Sequence, residues 1–249
     1  MAAPVPVILT REKEDNAALA ALIQGPETVC IDYPCIALKI MPYDGAPIGG
    51  LALEDFPLVV FTSRRGVMGM AGVAERLRAY HPQVAAVGPA TRDALKDELG
   101  LEAFLAPGEA VSAALARELL AAWTHLAPFL LVRGAKSSGI LARELGAAGV
   151  DFRELTVYRH ETVTPPPLSL NGPVVAVLAS PSAVETFCLV NPGLPASSLA
   201  VTIGPLTSRA AHAAGFRLLQ EAPGQTRAAL AHAVAAALHT LTLDHGALS

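Results

Sequence analysis

The chain has 249 residues, with 18 Lys and Arg against 22 Asp and Glu, and 52% of its residues are hydrophobic, 5% aromatic and 16% charged. That length suffices for one large domain or two small ones, each with a buried core. A formal net charge of -4, with basic residues scattered singly rather than in a tract, argues against nucleic acid as a partner, so any acidic ligand must be held by local groups.

Mean hydropathy is high at +0.44, yet the long uncharged stretch from Thr162 to Val184 is broken by Pro165, Pro166, Pro167 and Pro173, so no membrane helix is expected. Met1 to Leu9 has no basic segment and only a short apolar run before Arg11, Glu12 and Lys13. No export signal is expected from it, and the expected location is cytoplasmic. The three cysteines, Cys30, Cys35 and Cys188, are an odd number without metal-like spacing and read as small apolar fillers in a reducing compartment.

In chain order, short β-branched apolar runs predict strands at Val5 to Leu9, Thr28 to Asp32, Leu58 to Phe61, Val84 to Val87, Glu102 to Leu105, Phe129 to Val132, Asp151 to Leu155, Val174 to Leu178, Leu199 to Ile203 and Arg217 to Gln220. Between them, Arg64 to Ala79, Thr91 to Leu99, Ser112 to Trp123, Gly139 to Ala148, Ser208 to Ala214 and Thr226 to Leu241 carry apolar residues at three- and four-residue spacing, as amphipathic helices do. This alternation is the βαβ pattern of parallel sheets.

Two extended runs break the rhythm, Pro34 to Pro42 and Thr156 to Val163. They flank a block of five strands and four helices, and as an antiparallel pair they would make a two-stranded hinge. The expected fold is therefore α/β, with two doubly wound, flavodoxin-like parallel-sheet lobes joined by that hinge. The boundaries read as 1–33 with 164–249 for a discontinuous lobe, 34–42 and 153–163 for the hinge strands, and 43–152 for the inserted lobe.

An internal repeat supports two lobes. Phe61-Thr62-Ser63-Arg64-Arg65-Gly66-Val67 aligns with Leu178-Ala179-Ser180-Pro181-Ser182-Ala183-Val184, and Val87-Gly88-Pro89-Ala90-Thr91 aligns with Ile203-Gly204-Pro205-Leu206-Thr207 at nearly the same offset. A weaker match sets Leu9-Thr10-Arg11 against Val132-Arg133-Gly134, so the N-terminal unit corresponds to the last unit of the middle block.

Gly88-Pro89, Ser180-Pro181 and Gly204-Pro205 each have the form of a strand end passing into a helix, with a cap residue followed by proline at the first helical position. The residues that follow, Ala90 with Thr91 and Leu206 with Thr207, are expected to present backbone N–H groups where a helix N-terminus attracts anions. Each motif alone is equally an ordinary helix cap. Repeated, with Arg64, Arg65, Arg92, Arg133 and Arg209 nearby, they suit a polyanion bound mainly by backbone at the carboxyl ends of two sheets, whose facing rims would form a cleft.

Other chemistries lack their motifs. None of the seven histidines has an HxxxH or HExxH partner, so no metal is expected, and there is no GxGxxG, Walker loop or GxSxG elbow for a cofactor, nucleotide or esterase reading. Tyr158 is the one phenol on the second crossing run, where a proton donor and a hinge-packing tyrosine are equally compatible with its position.

Phe61-Thr62-Ser63, Val87-Gly88-Pro89-Ala90-Thr91, Leu131-Val132-Arg133-Gly134, Val157-Tyr158-Arg159, Ser180-Pro181-Ser182 and Ile203-Gly204-Pro205-Leu206-Thr207, in this order and spacing, resemble the uroporphyrinogen-III synthase family over nearly the whole chain. The resemblance implies a lyase that cyclises the linear tetrapyrrole polycarboxylate hydroxymethylbilane in haem biosynthesis. No cofactor is implied, and the expected working form is a monomer in passing contact with the preceding enzyme of the pathway. It implies Tyr158 as the catalytic residue. It also implies Thr62, Ser63, Arg64, Gly88, Pro89, Ala90, Thr91, Arg133, Gly134, Ser180, Pro181, Ser182, Gly204, Leu206 and Thr207 as substrate-binding residues. The sequence departs from the family pattern at Ala179 and Leu206, where threonine is usual, and at Arg64 and Arg65, where residues are usually small or polar. The alternative from another class is a non-catalytic two-lobed polyanion-binding module.

Overall fold

A computed structural model describes residues 5–23, 28–109, 111–123, 127–137, 139–170, 172, 174–216 and 218–246. The chain begins with β1 (Pro6–Leu9), α1 (Lys13–Ala20), β2 (Val29–Asp32) and β3 (Ile36–Ile40). The middle block runs β4 (Leu58–Phe61), α2 (Arg64–Gly69), α3 (Ala74–Tyr80), β5 (Gln83–Ala86), α4 (Pro89–Ala94), α5 (Ser112–Ala122), β6 (Phe129–Gly134), α6 (Ile140–Ala147) and β7 (Phe152–Thr162). It closes with β8 (Val175–Leu178), α7 (Pro181–Val190), β9 (Leu199–Thr202), α8 (Pro205–Ala213), β10 (Leu218–Glu221) and α9 (Arg227–Gly246). Arg217, the first residue of the last predicted strand, lies outside the described residues.

These elements form two compact units, one made of the residues up to Ala37 together with those from Glu161 onward, the other of Leu38–His160. The first holds a sheet of order β10-β9-β8-β1-β2 and the second a sheet of order β3-β7-β6-β4-β5. The ladders β1·β2, β1·β8, β8·β9 and β9·β10 in the first unit, and β4·β5, β4·β6 and β6·β7 in the second, are parallel. Within the second unit Met41 N–H donates to the Val157 carbonyl at 2.8 Å, and within the first Val163 N–H donates to the Cys35 carbonyl at 3.0 Å. Partner numbers rise on β7 as they fall on β3, so these neighbouring strands run antiparallel.

The central strands β1, β4, β6, β8 and β9 are nearly continuous apolar runs because both faces of the sheet are covered there. In the second unit Val59, Phe61, Leu130 and Val132 face α2, α3 and α4 through Val67, Leu77 and Ala94, with Met70 and Leu95 next to the ends of α2 and α4. The alternate residues Leu58, Val60, Phe129 and Leu131 face α5 and α6 through Leu115, Leu119, Leu141 and Leu145. The first unit repeats this, with Val7, Leu9, Val175 and Val177 against α9 and Leu19 of α1, and Ile8, Ala176 and Leu178 against α7 and α8. Full burial of each such side chain contributes roughly 1.5–3 kcal/mol.

The duplication is visible in register. Phe61 pairs with Val132 and Val60 with Leu131 in one unit, while Val177, the repeat counterpart of Val60, pairs with Leu9 in the other. Leu9 therefore corresponds to Leu131, one residue away from the sequence alignment of Leu9 with Val132, and Arg11 is set against Arg133.

Three sequence expectations are corrected, and a helix that the apolar spacing did not mark, α1, is added. Glu102 to Leu105 forms no strand, only a parallel bridge between Leu105 and Ala85. The Asp151 to Leu155 strand and the Thr156 to Val163 run are one strand, β7. The helix expected over Arg64 to Ala79 divides at Gly69, whose carbonyl accepts from Tyr43 N–H at 2.9 Å. A Cβ on Gly69 would stand 2.4 Å from the Val157 Cβ, so close packing on β7 requires glycine there. Finally, α1 has no apolar stripe. Its buried Asn16 holds it by donating to the Leu9 carbonyl at 2.8 Å, the Arg11 carbonyl at 2.7 Å and Asp32 Oδ1 at 2.7 Å.

Candidate functional site

The rim of the second unit begins where β4 passes into α2. The Thr62 hydroxyl donates to the Val132 carbonyl at 3.1 Å and ties the end of β4 to β6. Ser63 is extended at the N-cap of α2, and its Oγ accepts from Gly66 N–H at 3.1 Å. The same hydroxyl donates to Tyr158 Oη at 3.0 Å. Arg64 next to it is exposed.

Tyr158 reaches Ser63 because the β6–β7 ladder shifts register between Arg133 and Gly134, which sets Gly134 opposite Tyr158. Gly134 is buried under the phenol, and a Cβ there would stand 2.3 Å from Tyr158 Cε2 and 2.8 Å from its hydroxyl. Gly134 thus seats the phenol at the edge of the rim. Arg133 lies beside it, its guanidinium donating to Glu154 Oε1 at 2.5 Å and to the Gly134 carbonyl at 3.2 Å.

Thr62, Ser112, Leu131, Arg133, Ser137, Gly139, Leu141, Ala142 and Tyr158 line a pocket of about 230 Å³ within this unit. Ser112 is the first residue of α5, and Gly139 caps α6 in a left-handed conformation at φ 67. Two helix N-termini, three further hydroxyls and a guanidinium therefore border the space that Tyr158 borders. Motif reading placed neither Ser112 nor Ser137 here. The polar loop following Arg133-Gly134 was the available signal for Ser137.

At the end of β5, Gly88 is buried and extended with Pro89 at the first position of α4. Ala90 is exposed, but Thr91 N–H is not free: it donates to the Gly88 carbonyl at 3.1 Å, and the residue is only 4% exposed. A site at this motif is left with the Ala90 amide and Pro89. Arg92 is paired with Asp93 at 2.9 Å.

The first unit has its own rim. Ser180 caps α7 by accepting from Ala183 N–H at 3.2 Å and shares a 3.0 Å hydrogen bond with Ser182, with Pro181 between them exposed. At α8 Gly204 is the buried cap, Thr207 is 3% exposed and Leu206 is 68% exposed. The side chain presented by this motif is therefore the apolar Leu206, and polar contacts must come from backbone N–H groups. Arg209 is exposed.

A larger cavity of about 430 Å³ in the first unit is lined by Pro167, Leu168, Leu170, Val190, Asn191, Pro192 and Leu194, with Gly172, Gly193 and Ser197. Its amide, Asn191, is already fully engaged in hydrogen bonds, and the chemistry-bearing residues lie elsewhere. Burial pushes the Cys35 thiol up to about 12, with Cys188 adding to the effect, and pushes Cys188 up to about 11, which makes both poor nucleophiles. Among the described residues no three His, Cys, Asp or Glu side chains gather where a metal could bind, and no helix is long and apolar enough to cross a membrane.

Fold and rims together define a duplicated α/β protein that gathers hydroxyls, helix amides, a phenol and a guanidinium at the carboxyl ends of its parallel strands. The sequence profile described as uroporphyrinogen-III synthase HemD matches residues 5–232. The chain belongs to the uroporphyrinogen-III synthase family, which makes it a lyase-type enzyme of haem biosynthesis. Among solved structures it is similar to the uroporphyrinogen-III synthetase of Helicobacter pylori, with a TM-score of 0.58 and 15% identity over 94% of this chain and 99% of that one. A mutant uroporphyrinogen III synthase of the extremely thermophilic bacterium Thermus thermophilus matches at a TM-score of 0.48 and 18% identity over 95% and 99%. The first of these likenesses supports the fold. A comparison with curated proteins finds no match.

Proposed function

We propose that this chain cyclises hydroxymethylbilane to uroporphyrinogen III, with loss of water and inversion of the last ring. The observation that carries the reading is the Tyr158 hydroxyl, held at 3.0 Å by Ser63 on the wall of the pocket that Arg133 also lines, in a chain whose residues 5–232 match the family.

In this reading Tyr158 donates a hydrogen bond to the terminal hydroxyl of the substrate. As that carbon–oxygen bond breaks, the electron pair of the adjacent pyrrole nitrogen forms the exocyclic carbon–carbon double bond through the ring, the departing hydroxyl takes up a proton and the pyrrole N–H gives one up to solvent, so that azafulvene and water result. The substituted carbon of the last pyrrole attacks, forming a spiro intermediate that reopens and closes with the ring inverted. Because pyrrole electrons expel the hydroxyl, the chemistry calls for no metal or organic cofactor, and positioning outweighs strong acid catalysis. Acetate and propionate carboxylates are assigned to Arg133, Ser112 and Ser137 with the α5 and α6 N-termini in one unit, and to Ser180, Ser182 and the Leu206 and Thr207 amides in the other. The strands β3 and β7, through which the chain passes between units, are assigned the role of hinge.

The test is incubation of the purified chain with freshly prepared hydroxymethylbilane, followed by isomer analysis. The reading expects the inverted type III isomer in excess. Type I alone, at the rate seen without protein, would refute it.

A further inference from the structure

We propose that Ser63 is a positioning residue for Tyr158: it fixes the phenol so that the phenolic proton stays available to the pocket, and it does not itself hold substrate. The proposal rests on the reading of Tyr158 as hydrogen-bond donor. A serine hydroxyl carries one proton and two lone pairs. In Ser63 one lone pair accepts from Gly66 N–H at 3.1 Å, and the proton goes to Tyr158 Oη at 3.0 Å. With its proton committed in this way, Ser63 has no donor left for a substrate carboxylate.

The direction of that bond decides what Tyr158 can do. Because Tyr158 Oη accepts from Ser63, its own proton is not taken by Ser63, and among the described residues no acceptor receives it. The ring cannot turn toward β6, because the Gly134 backbone lies against it so closely that a Cβ would meet Cε2 at 2.3 Å and Cζ at 2.4 Å. The Tyr158 carbonyl accepts from Ala135 N–H at 3.0 Å, which holds the strand at this position. Helix cap, glycine seat and strand pairing thus point one phenol into the 230 Å³ pocket.

The duplication shows that this is more than helix capping. Ser180, the repeat counterpart of Ser63, caps α7 with the same geometry at 3.2 Å, but its further contact is Ser182 at 3.0 Å and no phenol. Both units retain the cap, and among the described residues only the second couples it to a tyrosine.

The experiment reverses the bond while keeping the cap. Asparagine and aspartate both cap helices well, but an asparagine amide can donate to Tyr158, whereas an ionised carboxylate only accepts and would draw the phenolic proton to itself. Ser63→Thr, Ser63→Asn, Ser63→Asp, Tyr158→Phe and the double variant Ser63→Asp/Tyr158→Phe are compared with wild type for melting temperature, kcat, KM and isomer ratio on hydroxymethylbilane. The expected result is a kcat within a few fold of wild type for Ser63→Thr and Ser63→Asn. Ser63→Asp should melt like Ser63→Asn yet lose about 10²-fold in kcat with little change in KM, and the double variant should be no slower than Tyr158→Phe alone. A Ser63→Asp variant with raised KM and wild-type kcat would make Ser63 a substrate ligand and overturn the proposal, as would losses that multiply in the double variant. Wild-type turnover in Tyr158→Phe would instead overturn the donor reading itself, and the positioning role with it.

Discussion

Asn191 donates to the hydroxyl of Tyr33 at 3.0 Å, and that hydroxyl donates onward to the carbonyl of Pro166 at 2.7 Å. The same amide donates to the Phe187 carbonyl at 3.0 Å and accepts from Leu168 N–H at 2.8 Å, so one buried side chain from the end of α7 fixes the proline-rich segment after β7. Prolines there cannot donate to a strand ladder, which is why a side chain must anchor the segment.

Asn191→Ala leaves Leu168 N–H unsatisfied and removes the donor to Tyr33. We expect a loss of about 2–3 kcal/mol in urea denaturation, with turnover per folded molecule retained. Tyr33→Phe, which removes both the donor to the Pro166 carbonyl and the acceptor of the Asn191 amide, should cost about 1–3 kcal/mol.

Gly134→Ala places a methyl group inside the Tyr158 ring, and the ring must move to admit it. The expected outcome is a kcat reduced about 10²-fold, matching loss of the phenol, with a folded circular-dichroism spectrum. Gly146→Ala is the opposite case. Nothing lies within 4 Å of a Cβ there, so helix propensity alone should raise stability by about 0.5–1 kcal/mol in the same denaturation assay.

What the sequence could and could not reveal follows from the range of the interactions. Leu58–Phe61 and Val175–Leu178 are legible as strands because burial on both faces demands continuous apolar runs, and the repeat is legible because both units keep the same caps. The break of the expected helix at Gly69 is not, since it depends on Tyr43 and Val157, one before and one far beyond it in sequence. Nor is the helix at Lys13–Ala20, whose anchor is the polar Asn16. At the site, Ser63 and Tyr158 were each singled out, but their hydrogen bond joins residues 95 apart and depends on a register shift at Gly134 that no local pattern encodes.

Arg133→Gln should test the anion-binding role of the pocket. Losing a charge-assisted contact to a carboxylate predicts a KM at least about 10-fold higher with kcat nearly unchanged. A fall in kcat at constant KM would show instead that the Arg133–Glu154 pair serves the chemistry.

Alkaline stability should follow Cys35. Burial raises its folded-state value from 9.0 to about 12, so the folded chain keeps a proton that the unfolded chain releases. Stability from this group is intact below about pH 9 and declines as pH rises toward 12. Cys35→Ala should cost about 1 kcal/mol at pH 7 and flatten the decline measured by urea denaturation between pH 8.5 and about 11.

The most direct measurement is the isomer composition and rate obtained with Tyr158→Phe on hydroxymethylbilane, beside the wild-type chain. Phenylalanine keeps the ring that packs on Gly134 and deletes only the hydroxyl that Ser63 holds. The account predicts a folded variant whose rate of type III formation falls about 10²-fold, roughly 3 kcal/mol of barrier, while the spontaneous type I isomer accumulates. A variant that makes type III alone at the wild-type rate would contradict it, and the reacting end of the substrate would then belong to the hydroxyls and amides of the rims.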